Sequence, residues 1–368
     1  MNIGLCGFGV VGRGVYEIVR QRPDMKVKKI LCLEDIQLPD AQAVKDFSEI
    51  LTDPEIDTVV EAMGGLHPSY DFARAALEAG KNVVSSNKAM VCTFYDELIP
   101  LAASKGVSLR CTAAVGGGIG WLSELERARR VQTINQVGGI MNGTCNYILD
   151  NMTRLGLGYD EALKQAQKLG YAEANPATDV DGIDTWHKVI LSANVAFGIS
   201  LDKTTVPVAG IRNISAADVD CFKAHGKVCK LISTAKRTES GFSAYVQPTL
   251  VDAGSPEGAV PLNYNLITFI GETSERMSFY GQGAGRYPTA YNVVQDLVDV
   301  TLGKSFYAPY GAPQAADNQE AHRYYVRGNW DGAVQESWGT GVVTAPTPVS
   351  QMHQWVKNHP DAFIAAVD

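Results

Sequence analysis

The chain has 368 residues, 45% hydrophobic and 20% charged, an ordinary globular composition with room for a large core and about two domains. A net charge of −8 argues against nucleic acid or an anionic membrane surface as a main partner. No apolar run is long enough to span a bilayer and there is no signal-peptide pattern. Seven cysteines, odd in number and without a C-x-x-C pair, point to reduced thiols and a cytoplasmic setting.

The first predicted strand, Asn2-Ile3-Gly4-Leu5-Cys6, runs into Gly7-Phe8-Gly9-Val10-Val11-Gly12 and then the helical pattern Val15-Tyr16-Glu17-Ile18-Val19. G-x-G-x-x-G between a strand and a helix predicts a dinucleotide site. The first glycine permits the tight turn, the second lets backbone approach a pyrophosphate, and the third lets helix and strand pack closely. The helix N-terminus adds unpaired N–H groups and a positive dipole end. The next strand, Val27 to Leu33, ends at Glu34-Asp35, twenty-two positions past Gly12. An acid there suits a ribose 2′-hydroxyl, and no Arg or Lys follows closely, so NAD is favoured while NADP stays open.

Asp57 to Met63 reads as a strand closing on Gly64-Gly65, Tyr70 to Ala79 as a helix ended by Gly80, and Asn82 to Ser86 as a strand followed by Asn87-Lys88. Val107 to Cys111 is a further strand. Alternation of this kind predicts a parallel sheet with helices on both faces, a Rossmann-type dinucleotide-binding domain with its ligand at the strands' carboxyl ends. Met63, Gly64, Ser86 and Lys88 fall at such ends and join the expected cofactor site.

The character changes near Val115-Gly116-Gly117-Gly118-Ile119-Gly120, where glycines permit close approach of backbone to a ligand or ion. Arg127, Arg129 and Arg130, flanked by glutamates, read as a solvated helix face of mixed sign. Beyond Gly139 to Tyr147 and a helix from Tyr159 to Leu169 comes an acidic segment holding Glu173, Asp179, Asp181 and Asp184. Asp184 and Lys188 are four apart, so on a helix they share a face. A lysine held by a carboxylate beside the apolar run Val189 to Phe197 is suited to moving a proton, although the same spacing describes an ordinary surface ion pair. His187 points about 100° away and reads as a packed or surface histidine. Strand-like runs at Phe242 to Pro248 and Asn265 to Gly271 complete an α+β substrate domain. The expected organisation is an α/β chain with a dinucleotide-binding domain at 1–115 plus about 283–305, a substrate and dimerisation domain at 116–282, and a tail at 306–368.

Taken together, these pieces resemble homoserine dehydrogenase over roughly residues 1 to 305. The matching stretches are Gly7 to Gly12, Val59-Val60-Glu61 with Gly64-Gly65, Ala76 to Gly80 leading to Asn87-Lys88-Ala89, and Val115 to Ile119. Asn142-Gly143-Thr144 with Asn146-Tyr147-Ile148-Leu149, Gly170-Tyr171-Ala172-Glu173, Asp179 to Lys188, and Gly281 to Ala290 also match. The resemblance implies interconversion of L-homoserine and L-aspartate 4-semialdehyde with a nicotinamide cofactor, in a homodimer joined through the middle domain. It implies Lys188 as the catalytic lysine, Asp184 as its carboxylate neighbour, and Lys88 as a cofactor-side lysine, with Gly283 beside the cofactor. Glu173 and Asp179 would hold the substrate's ammonium, Gly143, Thr144 and Tyr171 would line its carboxylate end, and Asp184 would also belong to the substrate site.

The chain also departs from the family. The family usually carries Glu-Ala-Ser-Val before the glycine run, and its glutamate helps to hold a monovalent cation; here the residues are Thr112-Ala113-Ala114-Val115. The carbonyls of Val115, Gly117 and Ile119 are therefore only a weak cation candidate. Gly120 and bulky Trp121 follow where a proline is usual, which keeps open a related amino alcohol or amino aldehyde as substrate, or a catalytically idle nucleotide-binding sensor. In the tail, Arg323 to Arg327 looks like the first strand of a regulatory domain of which too few residues follow for a complete copy. Trp330, Trp338 and Trp355 are expected to pack it down, and no feedback by threonine through such a domain is expected.

Overall fold

The computed structural model describes residues 1–304 and 312–367. Among these residues the chain forms two compact units: Met1–Val131, Asn194–Ser200 and 282–304 in the first, and Gln132–Ala193, Leu201–Gly281 and 312–367 in the second. The expected boundary at 305 and the tail's first residues, 306–311, lie outside the described residues.

The first unit is built on the strands β1 (Asn2–Cys6), β2 (Lys26–Leu31), β3 (Gln42–Val44), β4 (Thr58–Glu61), β5 (Asn82–Ser85) and β6 (Leu109–Arg110), in the order β3-β2-β1-β4-β5-β6. Every pairing is parallel. This is the order of dinucleotide-binding sheets. β4 is buried at all four positions, as expected of a parallel strand covered on both faces. The helix Val10–Val19 buries Val15, Tyr16 and Val19 against Ile3, Leu5 and Ile30. Val293, Val294 and Leu297 of the helix Arg286–Thr301 join the same core. Truncating a core leucine such as Leu297 to alanine costs about 2–5 kcal/mol in comparable cores. β2 stops at Leu31, two residues before the predicted strand end at Leu33, so Glu34 stands in the loop beyond it. β3, only three residues long, was too brief for its pattern to register.

The second unit contains β7 (Ile134–Ile140), β8 (Lys227–Thr238), β9 (Gly241–Asp252), β10 (Tyr264–Gly271), β11 (Glu275–Gln282), β12 (Ala321–Arg327), β13 (Val334–Trp338), β14 (Gly341–Thr344), β15 (Thr347–Pro348) and β16 (Phe363–Val367). They run in the order β11-β10-β7-β8-β9-β16-β12-β14-β13, with β15 beside β12. The long antiparallel hairpin of β8 and β9 pairs from Lys227 with Asp252 to Thr238 with Gly241. The tail differs from its sequence reading. It holds five strands and the helix Val349–Asn358, and β16 pairs in parallel with β9 and antiparallel with β12. Its pattern was hidden because β13 exposes four of five residues and glycines and prolines punctuate the rest. The tryptophans do pack. Trp355 joins Tyr324, Val326, Met352, Ile364 and Ala366 in one core, Trp330 meets Trp355 edge-on at 5.3 Å, and Trp338 stacks on His225 at 3.8 Å. No helix among the described residues is long and apolar enough to cross a membrane.

Candidate active site

In the first unit the glycines behave as their motif requires. Gly7 adopts φ of +95°, and a Cβ there would stand 2.7 Å from the Ala62 carbonyl oxygen. A Cβ on Gly12 would stand 2.1 Å from the Gly7 carbonyl oxygen. At Gly9 a Cβ would meet nothing within 4 Å. Space over Gly9 and the N-terminus of the helix Val10–Val19, capped by no side chain and with no acid in its first turn, fits a pyrophosphate. Phe8, Val10 and Val11 line the same turn, and Arg13 lies over the Phe8 ring at 4.7 Å.

Glu34 is exposed and paired. Arg13 Nη2 donates to its carboxylate at 2.7 Å, and Lys45 Nζ donates to the Leu33 and Glu34 carbonyls at 2.7 and 2.9 Å. Cations therefore do surround this acid; they come from a neighbouring helix and from β3's exit, where sequence proximity to Glu34 gave no sign of them.

At the ends of β4 and β5 a buried carboxylate organises the loops. Glu61 accepts from the Met63 and Gly64 N–H groups at 2.9 and 3.4 Å, and from Ser85 Oγ at 2.6 Å. Asn87 Nδ2 donates to the Gly65 carbonyl at 2.6 Å, and Asn87 Oδ1 caps the helix Lys88–Thr93 by accepting from Met90 N. Lys88 thus opens a helix, and Ser86 N–H donates to the Glu61 carbonyl at 3.2 Å. Gly283 lies against the glycine run: a Cβ on Gly117 would stand 2.6 Å from the Gly283 carbonyl carbon. The close approach expected at this run is made by the chain itself. Trp121 is fully buried in this unit. Arg127 and Arg130 pair with Glu124 and Glu126 on a solvated face, while Arg129 Nη1 instead donates to the Val195 carbonyl at 2.9 Å.

In the second unit the helix Ile183–Phe197 carries Asp184 in its first turn, where a carboxylate favours the dipole, and Lys188 one turn on. Both are buried. Lys188 Nζ lies 2.7 Å from Asp184 Oδ2 and donates to the Met141 carbonyl at 2.7 Å. Asn142 Nδ2 donates to Asp184 Oδ2 at 2.8 Å and to Asp179 Oδ1 at 2.7 Å, while its Oδ1 accepts from Cys145 N–H and caps the helix Gly143–Leu155. A Cβ on Gly143, at the first position of that helix, would stand 2.5 Å from the Asn263 carbonyl oxygen. Thr144 Oγ1 donates to the Tyr171 carbonyl at 2.6 Å, and the Tyr171 ring meets Tyr147 edge-on at 5.1 Å. Glu173 stands on the exposed loop, its carbonyl accepting from Gln167. His187 packs edge-on against Trp186 at 5.0 Å.

Three contributors were not read from the sequence. The Met141 carbonyl carries no residue-type signal. Asn142 belongs to a matching stretch, but its residue type alone assigns it no role. Asn265 is fully buried; its Nδ2 donates to the same Met141 carbonyl at 3.0 Å, and its Oδ1 has no hydrogen-bond partner among the described residues.

A dinucleotide-binding sheet in one unit and a buried lysine–carboxylate pair in the other define an NAD(P)-dependent oxidoreductase acting on a CH–OH group. The profile of the homoserine dehydrogenase NAD-binding domain matches residues 7–112 and that of homoserine dehydrogenase matches residues 121–298. Homoserine dehydrogenase of Bacillus subtilis is 35% identical over 330 residues, covering 84% of this chain and 76% of that protein. That of Pseudomonas aeruginosa is 36% identical over 312 residues, covering 82% and 72%. The crystal structure of a homoserine dehydrogenase from Thiobacillus denitrificans superposes with a TM-score of 0.87 at 27% identity, covering all of this chain and 98% of that one. The chain belongs to the homoserine dehydrogenase family.

Proposed function

We propose that the protein interconverts L-homoserine and L-aspartate 4-semialdehyde, with Lys188 as the group that moves the hydroxyl proton. The observation that carries this is the buried Lys188 ammonium held between Asp184 Oδ2 and the Met141 carbonyl. Those partners take two of its three N–H donors, leaving one for a substrate oxygen. In reduction its ammonium stabilises the developing alkoxide and then protonates it. Oxidation is the reverse of reduction, the hydroxyl proton passing to Lys188 as the hydride leaves for the nicotinamide. Bound nicotinamide supplies the hydride acceptor or donor; Gly7 to Gly12, Met63, Gly64, Ser86, Lys88 and Gly283 are the residues that would hold it.

For the amino-acid end, Glu173 and Asp179 offer charge to an ammonium, and the N–H groups opening the helix Gly143–Leu155 with Thr144 and Tyr171 suit a carboxylate. NAD is proposed as the preferred cofactor on the charge of Glu34, with Arg13 as its counterweight. A homodimer is supported by the edge strand β11, which exposes Met277 by 42% and Tyr280 by 54%. A cytoplasmic setting is supported by seven cysteines that are all free.

The test is reduced-nicotinamide formation from a panel of amino alcohols, run with NAD and with NADP. Turnover of homoserine above all others is expected. Silence on homoserine beside a clear signal on another amino alcohol would overturn the substrate, and silence on the whole panel would favour an idle binding protein.

A further inference from the structure

We propose that the side-chain amide of Asn292 does in this chain the work of a monovalent cation at the Val115–Ile119 turn, so that the enzyme needs no such ion. Asn292 is 2% exposed on the helix Arg286–Thr301, and its Nδ2 donates to the carbonyls of both Gly117 and Ile119, the latter at 3.0 Å. Carbonyl oxygens only accept, so the face of the amide that meets both must be its NH₂. The Ile119 carbonyl also accepts from Trp121 N–H at 2.7 Å. Its two lone pairs are then both used, and none is left to ligate an ion.

The charge that would attract an ion is spent as well. Thr112 stands at the glutamate position, and its hydroxyl donates to Asp296 Oδ1 at 2.7 Å and lies 2.9 Å from Ser123 Oγ. The buried carboxylate of Asp296 also accepts from Thr112 N–H at 2.7 Å and from Arg110 Nε at 3.1 Å. Arg110 is itself completely buried and adds a fixed positive charge against that carboxylate. A saturated Ile119 carbonyl and a Gly117 carbonyl that already accepts an amide N–H, beside a buried guanidinium, do not fit a cation.

The amide supplies what remains of the ion's role, which is to gather carbonyls and hold a turn. Gly117 and Gly118 are packed against the 282–288 segment: a Cβ on Gly118 would stand 2.8 Å from Pro288 Cβ, and Gly118 N–H donates to the Gln282 carbonyl at 3.2 Å. Asn292 therefore ties the glycine run to the helix that follows Gly283, and acts as a positioning residue for the cofactor side.

The experiment compares sodium, potassium and tetramethylammonium chlorides at one ionic strength, reading both turnover and thermal midpoint. Turnover rests on the proposed homoserine chemistry; the midpoint does not, so the two readings fail separately. For the wild type both readouts are expected to be the same in the three salts. Saturable activation or stabilisation by sodium or potassium over tetramethylammonium would overturn the proposal. Asn292→Asp turns the donor into a carboxylate facing two carbonyls. It is expected to lose about tenfold or more of its turnover in tetramethylammonium, as misplacement of a cofactor-side loop does, and to regain it saturably with sodium. An Asn292→Asp protein as active as wild type and indifferent to sodium would equally overturn it. Should that variant not fold, Asn292→Ala is expected to lower the thermal midpoint in all three salts, and an unchanged midpoint counts against the proposal.

Discussion

Asp184 Oδ2 and Lys188 Nζ meet at 2.7 Å across one helical turn, and neither side chain is more than a tenth exposed. Isolated surface pairs of this spacing contribute little. A buried one is different, because removing either partner leaves an uncompensated charge. Lys188→Ala is expected to lower turnover by about 10²–10⁴-fold, the range for a lost general acid or base. Cofactor affinity, followed by nicotinamide fluorescence, should stay near wild type. Lys188→Arg should not restore turnover, since a guanidinium does not give up its proton. Wild-type turnover in either variant would remove Lys188 from the chemistry.

Asn142 joins two jobs in one side chain, bridging Asp179 to Asp184 and capping the helix Gly143–Leu155. Asn142→Ala is expected to cost stability by about 0.5–2 kcal/mol through the cap. It should also lower kcat/KM, because two carboxylates then face each other without the amide between them. Asn142→Ser keeps a capping oxygen and loses the bridge, so it should recover stability in urea melts without recovering activity. Recovery of both together would show that the bridge does nothing.

Glu34 is balanced by Arg13 at 2.7 Å. Glu34→Gln removes the charge that opposes a 2′-phosphate and releases Arg13 to meet one. The ratio of kcat/KM for NADP over NAD should rise, by about tenfold for each 1.4 kcal/mol of changed discrimination. A ratio that stays put would mean that Glu34 does not face the ribose.

Burial, with the nearby charge of Lys357 adding to it, pushes His353 down from 6.5 to about 4. Its Nε2 lies 2.9 Å from Gln247 Oε1. A depressed histidine is neutral in the fold and protonated in the unfolded chain below its ordinary value. The stability it brings is therefore present above pH 6.5 and is lost as pH falls toward 4, on the order of 3 kcal/mol in all. His353→Gln removes that titration, so urea midpoints measured at pH 7 and pH 4.5 should fall less in the variant than in wild type. Equal falls would refute the assignment.

Sequence reading reached the parts of the molecule where chemistry and chain position coincide. β1, Gly7 to Gly12 and the helix Val10–Val19 are contiguous, and Asp184 and Lys188 lie on one helix at a spacing that sequence displays directly. It did not reach groups recruited across the chain. Arg13 meets Glu34 only because β1 and β2 are neighbours in the sheet, and Glu61 governs Met63, Gly64 and Ser85 from inside a strand that reads as plain core. The Met141 carbonyl is legible nowhere, since every residue has one. β13 was missed for a different reason: its side chains are mostly solvent-facing, so no alternation marks it.

Among the described residues β16 lies between β9 and β12 in the order of its sheet, paired through Ala366 with Thr249 on one side and Tyr324 on the other. Losing these five residues would not shorten the sheet by a margin strand. It would split the sheet and bare two apolar edges at once, each a row of unpaired N–H and C=O groups ready to template a second copy. Cover for both edges thus depends on this segment, and because Ala366 lies 117 positions from Thr249, it arrives through a contact distant in sequence.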